Sequence, residues 1–290
     1  MCGDSHAGRC NADNLESLPM NPAKSFDYRK LFDLSGRVAL VIGGGSGIGQ
    51  AGAEGMAAQG AHVVVADIVP EDAKGVAERI SSAAGKATSV QIDVRNTAAV
   101  DAMVGAVVRD HGRLDVLLTT PAMNLRKRLL DYSDEEFDRV VELNLKGTFR
   151  VARACARPMM EKRRGSIILM SSIRSVTVEP GQSIYASTKA GVAQMMRGLA
   201  VELGPSGVRV NALAPGIVAT PLTRPIASDP MWNEAYAKRC ALGRWAEPEE
   251  MAGPIIFLAS DASSYLTGTT LFADAGWTAI DGRFEPQLKA

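Results

Sequence analysis

Short apolar runs alternate along this chain with longer stretches whose apolar residues recur at three- and four-residue spacing. The first pattern predicts buried strands and the second predicts amphipathic helices. Strands are expected at residues 37–42, 61–68, 88–94, 116–120, 167–170, 208–212 and 269–273. Helices are expected from the glycine-rich segment to Gln59, then at 71–84, 98–111, 185–203 and 247–260. A long helix should begin near Ser133, where Asp134, Glu135 and Glu136 suit the helix dipole. It should pass through Asn144 and end before Pro158, or restart after it. This alternation predicts an α/β fold, a doubly wound parallel sheet (Rossmann-like) in a single domain. Residues 1–35 are polar and irregular and read as an N-terminal extension, mobile or packed on the surface. The domain then covers 36–282, with a C-terminal tail at 283–290.

Of the 290 residues, 46% are hydrophobic and 22% charged, enough for a large core. The formal net charge is zero, so no global field favours nucleic acid or an anionic membrane. No apolar run is long enough to span a bilayer, and the N-terminus has no apolar signal core. Cys2, Cys10, Cys155 and Cys240 form no C-x-x-C pair, which suggests a reducing compartment. Cys2, His6 and Cys10 could ligate a metal, but in a polar tail they read as incidental, and no metal is expected. His62 reads as a satisfied core or edge residue. His111, before Gly112, fits a helix C-terminus.

The chemistry gathers at strand ends. Gly43, Gly44, Gly45, Ser46, Gly47, Ile48 and Gly49 lie between the first strand and the first helix, where backbone N–H groups can approach a pyrophosphate. Asp67 ends the second strand. A carboxylate there can accept both ribose hydroxyls of an adenosine and would repel a 2′-phosphate, which favours NAD over NADP. Asp67 could instead cap the helix that begins near Pro70. Ser172 follows the fifth strand, and Tyr185 and Lys189 lie four residues apart on one helical face. A lysine ammonium near a phenol favours the phenolate, making it a candidate acid/base.

Together these motifs resemble the short-chain dehydrogenase/reductases in their common single-domain form, over about residues 34–280. The resemblance implies a catalytic set of Asn144, Ser172, Tyr185 and Lys189. It implies cofactor contacts from Gly43, Gly45, Ser46, Gly47, Ile48, Gly49, Asp67, Ile68, Asp93, Val94, Tyr185 and Lys189. Pro215, Gly216, Val218 and Thr220 resemble the segment that receives the nicotinamide. The implied reaction is hydride transfer between NAD and a secondary alcohol or ketone. Tyr185 would be the acid/base, Lys189 would lower its pKa, Ser172 would hold the substrate oxygen, and Asn144 would hold a proton-relay water. A cytoplasmic homotetramer is the family expectation, and Leu271, Phe272, Ala273 and Trp277 are compatible with subunit pairing.

Two departures stand out. Ile42 replaces the family's usual Thr, and Thr119-Thr120-Pro121-Ala122 replaces Asn-Asn-Ala-Gly after the fourth strand. Pro121 offers no N–H there. Arg126, Lys127, Arg128 and Arg174 lie where such folds aim at the substrate. They suggest a carboxylate-bearing substrate such as a sugar acid, or else a solvated or inter-subunit basic loop. Residues 223–242 read as a mobile helical lid or as a surface insertion. The alternatives to an NAD-dependent enzyme are an NADPH-dependent 3-oxoacyl-type reductase and a non-catalytic dinucleotide-binding sensor.

Overall fold

The computed structural model describes residues 27–281. Seven strands form one parallel sheet: β1 (Val38–Ile42), β2 (His62–Asp67), β3 (Lys86–Gln91), β4 (Val116–Thr119), β5 (Gly165–Met170), β6 (Val208–Pro215) and β7 (Thr270–Ala273). Their order across the sheet is β3-β2-β1-β4-β5-β6-β7. The helices are α1 (Gly47–Ala58), α2 (Pro70–Ser82), α3 (Thr97–His111), α4 (Asp134–Val141), α5 (Thr148–Glu161), α6 (Ser183–Leu203), α7 (Arg224–Ala227), α8 (Pro230–Arg239) and α9 (Ala252–Ala259). The expected doubly wound architecture is therefore present.

The two-residue period of the strands divides the core into two layers. On β1, Val38, Leu40 and Ile42 pack with α3, α5 and α6. Ala39 and Val41 face the opposite way, towards α1, α2 and α9. On β5, Ile167 and Leu169 join the first layer, and Ile168 and Met170 the second. Leu34, within the stretch read as an extension, is fully buried in the second layer.

Several expected boundaries move. β3 spans the length of β2, with His62 beside Lys86 and Asp67 beside Gln91. Asp93 and Val94 therefore lie beyond the strand, at the sheet's C-terminal edge. β6 runs on to Pro215 because β5 flanks it on one side and β7 on the other. The expected helix at 247–260 is a 3₁₀ turn, Pro248–Met251, followed by α9. Pro158 neither ends nor restarts its helix but lies inside α5. Losing one backbone donor costs the helix a hydrogen bond. Burial of Val151, Cys155 and Met159 along one face carries the helix through to Glu161.

At the opposite end of the sheet from the strand C-termini, His62 contacts His111, with ring centroids 4.3 Å apart. His111 ends α3, and Gly112 caps it with positive φ, as expected. His62 is not the satisfied residue expected from sequence, because its buried Nε2 has no hydrogen-bond partner. Burial lowers its pKa from 6.5, and His111 and Lys86 push the same way. As pH falls, the unfolded chain takes up a proton that folded His62 resists, so this site loses stability below about pH 6.5. His62→Val should flatten the melting-temperature profile between about pH 7 and pH 5. A profile as steep as that of the unaltered protein would refute this assignment.

Candidate active site

A cleft with a volume of about 440 Å³ runs along the C-terminal edge of the sheet. The strand ends supply its floor, because each β–α connection leaves the sheet on that side. Gly43, Ser46, Gly47, Ile48 and Gly49 line its middle, and Asp67, Ile68, Asp93 and Val94 line one end. Tyr185, Lys189, Pro215, Gly216, Val218 and Thr220 line the other. Gly45 stands outside this lining, turned to Asp67 and Asp72. A Cβ there would lie 2.9 Å from Asp67 Oδ2.

The cleft suits a dinucleotide. Ser46 precedes α1 but makes no side-chain cap, so the first-turn N–H groups remain available to an anion. Asp67 Oδ2 accepts the Gly45 N–H at 2.9 Å, and Oδ1 accepts that of Val69. The carboxylate therefore joins the glycine loop to the β2 turn; Val69, not Asp67, occupies the cap position of α2. Asp93 receives the Arg95 guanidinium on both oxygens, Nε on Oδ1 and Nη2 on Oδ2. That guanidinium holds the Asp93 carboxyl below its ordinary pKa.

The unusual segment after β4 has found other partners. The Thr120 hydroxyl lies 3.0 Å from the Ile42 carbonyl and 3.1 Å from that of Gly43, so it ties β4 to the glycine loop. Asn144 is fully buried inside a π-helical segment, Glu142–Gly147, between α4 and α5. Such wide turns are often found at functional sites. Its amide clamps the Met123 backbone, accepting from N at 2.8 Å and donating to O at 2.9 Å. It also donates to Thr188 Oγ1 at 3.2 Å. Both amide hydrogens are thus committed within the protein. The side chain braces the loop after β4.

Ser172, Tyr185 and Lys189 converge at the far end of the cleft. Ser172 ends the β5 connection, and its Oγ accepts the Arg174 N–H. Tyr185 and Lys189 lie one turn apart on α6, with the ammonium 5.6 Å from the centre of the phenol ring. Lys189 is 2% exposed and donates to the Met170 carbonyl at 2.9 Å. Burial lowers its pKa to about 8. Burial pushes the Tyr185 phenol up, while the Ser172 hydroxyl and the Arg174 guanidinium pull it back. Within the chain itself, the Arg174 charge pulls on the phenol, and the Lys189 ammonium lies over the same ring.

Arg126 and Arg174 do come together, but around Glu179. Arg126 Nη1 pairs with Glu179 Oε1 at 2.5 Å, and Arg174 Nη2 with Oε2 at 2.7 Å. The Tyr236 hydroxyl on α8 donates to Glu179 Oε1 and accepts from Arg126 Nη2. Arg126 stacks on Trp232, and Arg174 on Trp277. Lys127 pairs with Glu136 on α4, and Arg128 is exposed. The stretch read as a lid is α7 and α8, joined to the protein through Tyr236, Trp232 and Cys240. Trp277 is buried in that same cluster, so it offers no face to another subunit.

The sequence reading missed Glu179, Tyr236 and the Thr120 anchor. Glu179 carried a usable signal, as an acid between Arg174 and the Pro180-Gly181 turn. Among the described residues, no cluster of three or more His, Cys, Asp or Glu is placed to hold a metal. Nor is any helix there long and apolar enough to cross a membrane. Cys2, His6 and Cys10 lie outside the described residues.

Comparison with known proteins agrees with this geometry. A family model described as enoyl-(acyl carrier protein) reductase matches residues 43–278. The chain is 42% identical to the short-chain reductase protein NovJ of Streptomyces niveus, over 82% of this chain and 93% of that protein. It is 37% identical to the 3-oxoacyl-[acyl-carrier-protein] reductase FabG of Thermotoga maritima, over 84% and 98%. The crystal structure of a gluconate 5-dehydrogenase from Burkholderia cenocepacia, in complex with NADP and tartrate, superposes with a TM-score of 0.84. It shares 34% identity, over 87% of this chain and 98% of that one. The protein therefore belongs to the short-chain dehydrogenase/reductase family, nicotinamide-dependent oxidoreductases that act on CH–OH groups.

Proposed function

We propose that this protein is an NAD-dependent dehydrogenase that interconverts a carboxylate-bearing secondary alcohol and its ketone. The observation that carries the reading is the meeting of Ser172, Tyr185 and Lys189 at one end of a cleft whose other end is Asp67. When bound, the nicotinamide supplies the hydride acceptor or donor. The chain would hold it with the glycine loop, Asp67, Lys189 and the Pro215–Thr220 turn.

In oxidation, the Tyr185 Oη takes the alcohol proton as general base. The Ser172 hydroxyl holds the substrate oxygen against that phenol. Asn144 is a positioning residue: it fixes Met123 and, through Thr188, the first turn of α6. Thr188 in turn donates to the Tyr185 carbonyl at 2.7 Å. The Thr120 anchor on the glycine loop supports catalysis over a sensor role, since the loop keeps its tie to β4 without the family's usual asparagines.

NAD is favoured because Asp67 is held at the adenosine end by two backbone donors, and among the described residues the only basic ones lining the cleft are Arg95 and Lys189. Arg95 is already committed to Asp93. An NADPH-dependent reductase of the 3-oxoacyl type is the second reading. It is favoured by the similarity to the Thermotoga protein and by the NADP in the Burkholderia structure. We also place the protein in the cytoplasm as a homo-oligomer, where the half-exposed Phe137, Phe149 and Phe272 would serve pairing.

Tyr185→Phe should lower turnover by roughly 10²- to 10⁴-fold, the range for a lost general acid/base. NADH affinity, followed by fluorescence, should change little. Turnover that persists in the variant would reject Tyr185 as the base. The unaltered enzyme should prefer NAD over NADP by about tenfold or more in kcat/KM, which corresponds to ~1.4 kcal/mol. Asp67→Ser should narrow that preference. A preference for NADP in the unaltered enzyme would overturn the NAD assignment while leaving the dehydrogenase reading intact.

A further inference from the structure

All three tryptophans of this chain surround one phenol. The rings of Trp232, Trp245 and Trp277 lie 6.1, 5.9 and 5.6 Å from that of Tyr236 on α8. Aromatic packing of this kind explains why the ring is buried. It does not explain the hydroxyl, which is costly to bury unless it is hydrogen-bonded. The Tyr236 hydroxyl donates to Glu179 Oε1 and accepts from Arg126 Nη2 at 3.2 Å. It thus joins α8 to two other segments, the loop that leads into α6 and the loop after β4. Glu179 is itself fixed. Arg126 pairs with one of its oxygens and Arg174 with the other, and its carbonyl accepts the N–H of Gln182, the residue before α6.

The excursion that carries Tyr236 leaves and returns at one place, the turn after β6. At its start, Thr223 Oγ1 donates to the Val218 carbonyl at 2.6 Å and accepts the Thr220 N–H at 3.0 Å. At its end, the Ala246 N–H donates to the Ile217 carbonyl at 3.0 Å, and the Ala246 carbonyl accepts the Ala219 N–H at 2.9 Å. Between these stems, Asn233 Nδ2 donates to the Ala227 carbonyl and Trp245 Nε1 to the Asn233 carbonyl, so α7, α8 and the returning segment hold together. Residues 224–245 therefore form one body with two attachments. Its base is the turn 217–220, whose Val218 and Thr220 line the cleft. Its far side is fastened by Tyr236. Ile217 of the turn and Ile173, next to Ser172, share the buried cluster with that ring.

We propose that Tyr236 is a positioning residue for the cofactor: its hydroxyl, held by Glu179 and Arg126, latches α8 and, through the stems at Thr223 and Ala246, keeps the turn 217–220 in the shape that receives the nicotinamide. Breaking the latch lets the excursion and its base move together, and the dinucleotide leaves faster. The inference rests on the reading of Pro215, Gly216, Val218 and Thr220 as the nicotinamide segment. It assigns control of cofactor release to a hydroxyl that acts through the backbone.

The test measures NADH dissociation from the full-length protein by stopped-flow displacement with excess NAD, followed by NADH fluorescence. Tyr236→Phe keeps the aromatic packing and removes the hydroxyl. It should raise the dissociation rate by about tenfold, the scale of one hydrogen bond to a charged group. Glu179→Gln should raise the rate at least as much, and the double variant no further than Glu179→Gln alone, because both changes break one latch. Cys240→Ala loosens the same buried cluster but leaves the hydroxyl in place, and should not change the rate. In ligand-free protein, acrylamide should quench the tryptophans of Tyr236→Phe more strongly than those of the unaltered chain, since all three pack around that ring. The proposal is overturned if Tyr236→Phe leaves dissociation or quenching unchanged, if Cys240→Ala speeds dissociation equally, or if the effects of Tyr236→Phe and Glu179→Gln add. Should Glu179→Gln fail to fold, the comparison of Tyr236→Phe with Cys240→Ala decides. An unaltered protein that binds no NADH would overturn the dinucleotide reading instead, and quenching without cofactor would still decide whether the latch exists.

Discussion

No room for a methyl group exists between Gly49 and the carbonyl of Gly43. A Cβ on Gly49 would lie 2.0 Å from that oxygen. This contact brings the first turn of α1 directly against the end of β1. The same carbonyl accepts the Thr120 hydroxyl, so β1, β4 and α1 meet at one point. Gly43 itself adopts a φ of +74°, which a side chain would resist. From that junction the loop turns outward, Asp67 takes its Gly45 N–H, and the uncapped helix end faces the cleft. The position of the dinucleotide end of the site follows from how closely these backbones approach.

The Ser172 end of the cleft depends on a different device, in which polar side chains are spent on the protein's own backbone. Asn144 uses its amide to fix Met123 and Thr188. Ser171 donates to the Lys189 carbonyl at 3.0 Å, and Lys189 donates to that of Met170. β5 and α6 are thereby joined at the two residues just before Ser172. Buried groups satisfied in this way hold a single arrangement, since any other would leave them unpaired.

Much of this was legible in the sequence because it depends on local order. Strand–helix alternation dictates the sheet, and the unbroken apolar run Val38 to Ile42 marks a strand buried on both faces. The glycine loop, Asp67, Ser172, Tyr185 and Lys189 could be read because each occupies a fixed place relative to a strand end or a helix turn. Tyr185 and Lys189 share a face by helix geometry alone. Pro158 was misread because a single-residue propensity was set against an entire buried helix face, and the packing prevailed.

What only the tertiary structure decided are the pairings between segments far apart in the chain. Glu179 meets Arg126, 53 residues away, and Tyr236, 57 residues away. Nothing in local spacing marks that acid as a partner of both. Asn144 likewise braces a loop distant in sequence, because its partner Met123 is brought to it by the β4 connection. Thr120 compensates for the missing asparagines only because the sheet sets β4 beside β1. Sequence periodicity encodes which face a residue presents, whereas hydrogen-bond partners depend on which faces the folded sheet brings within reach.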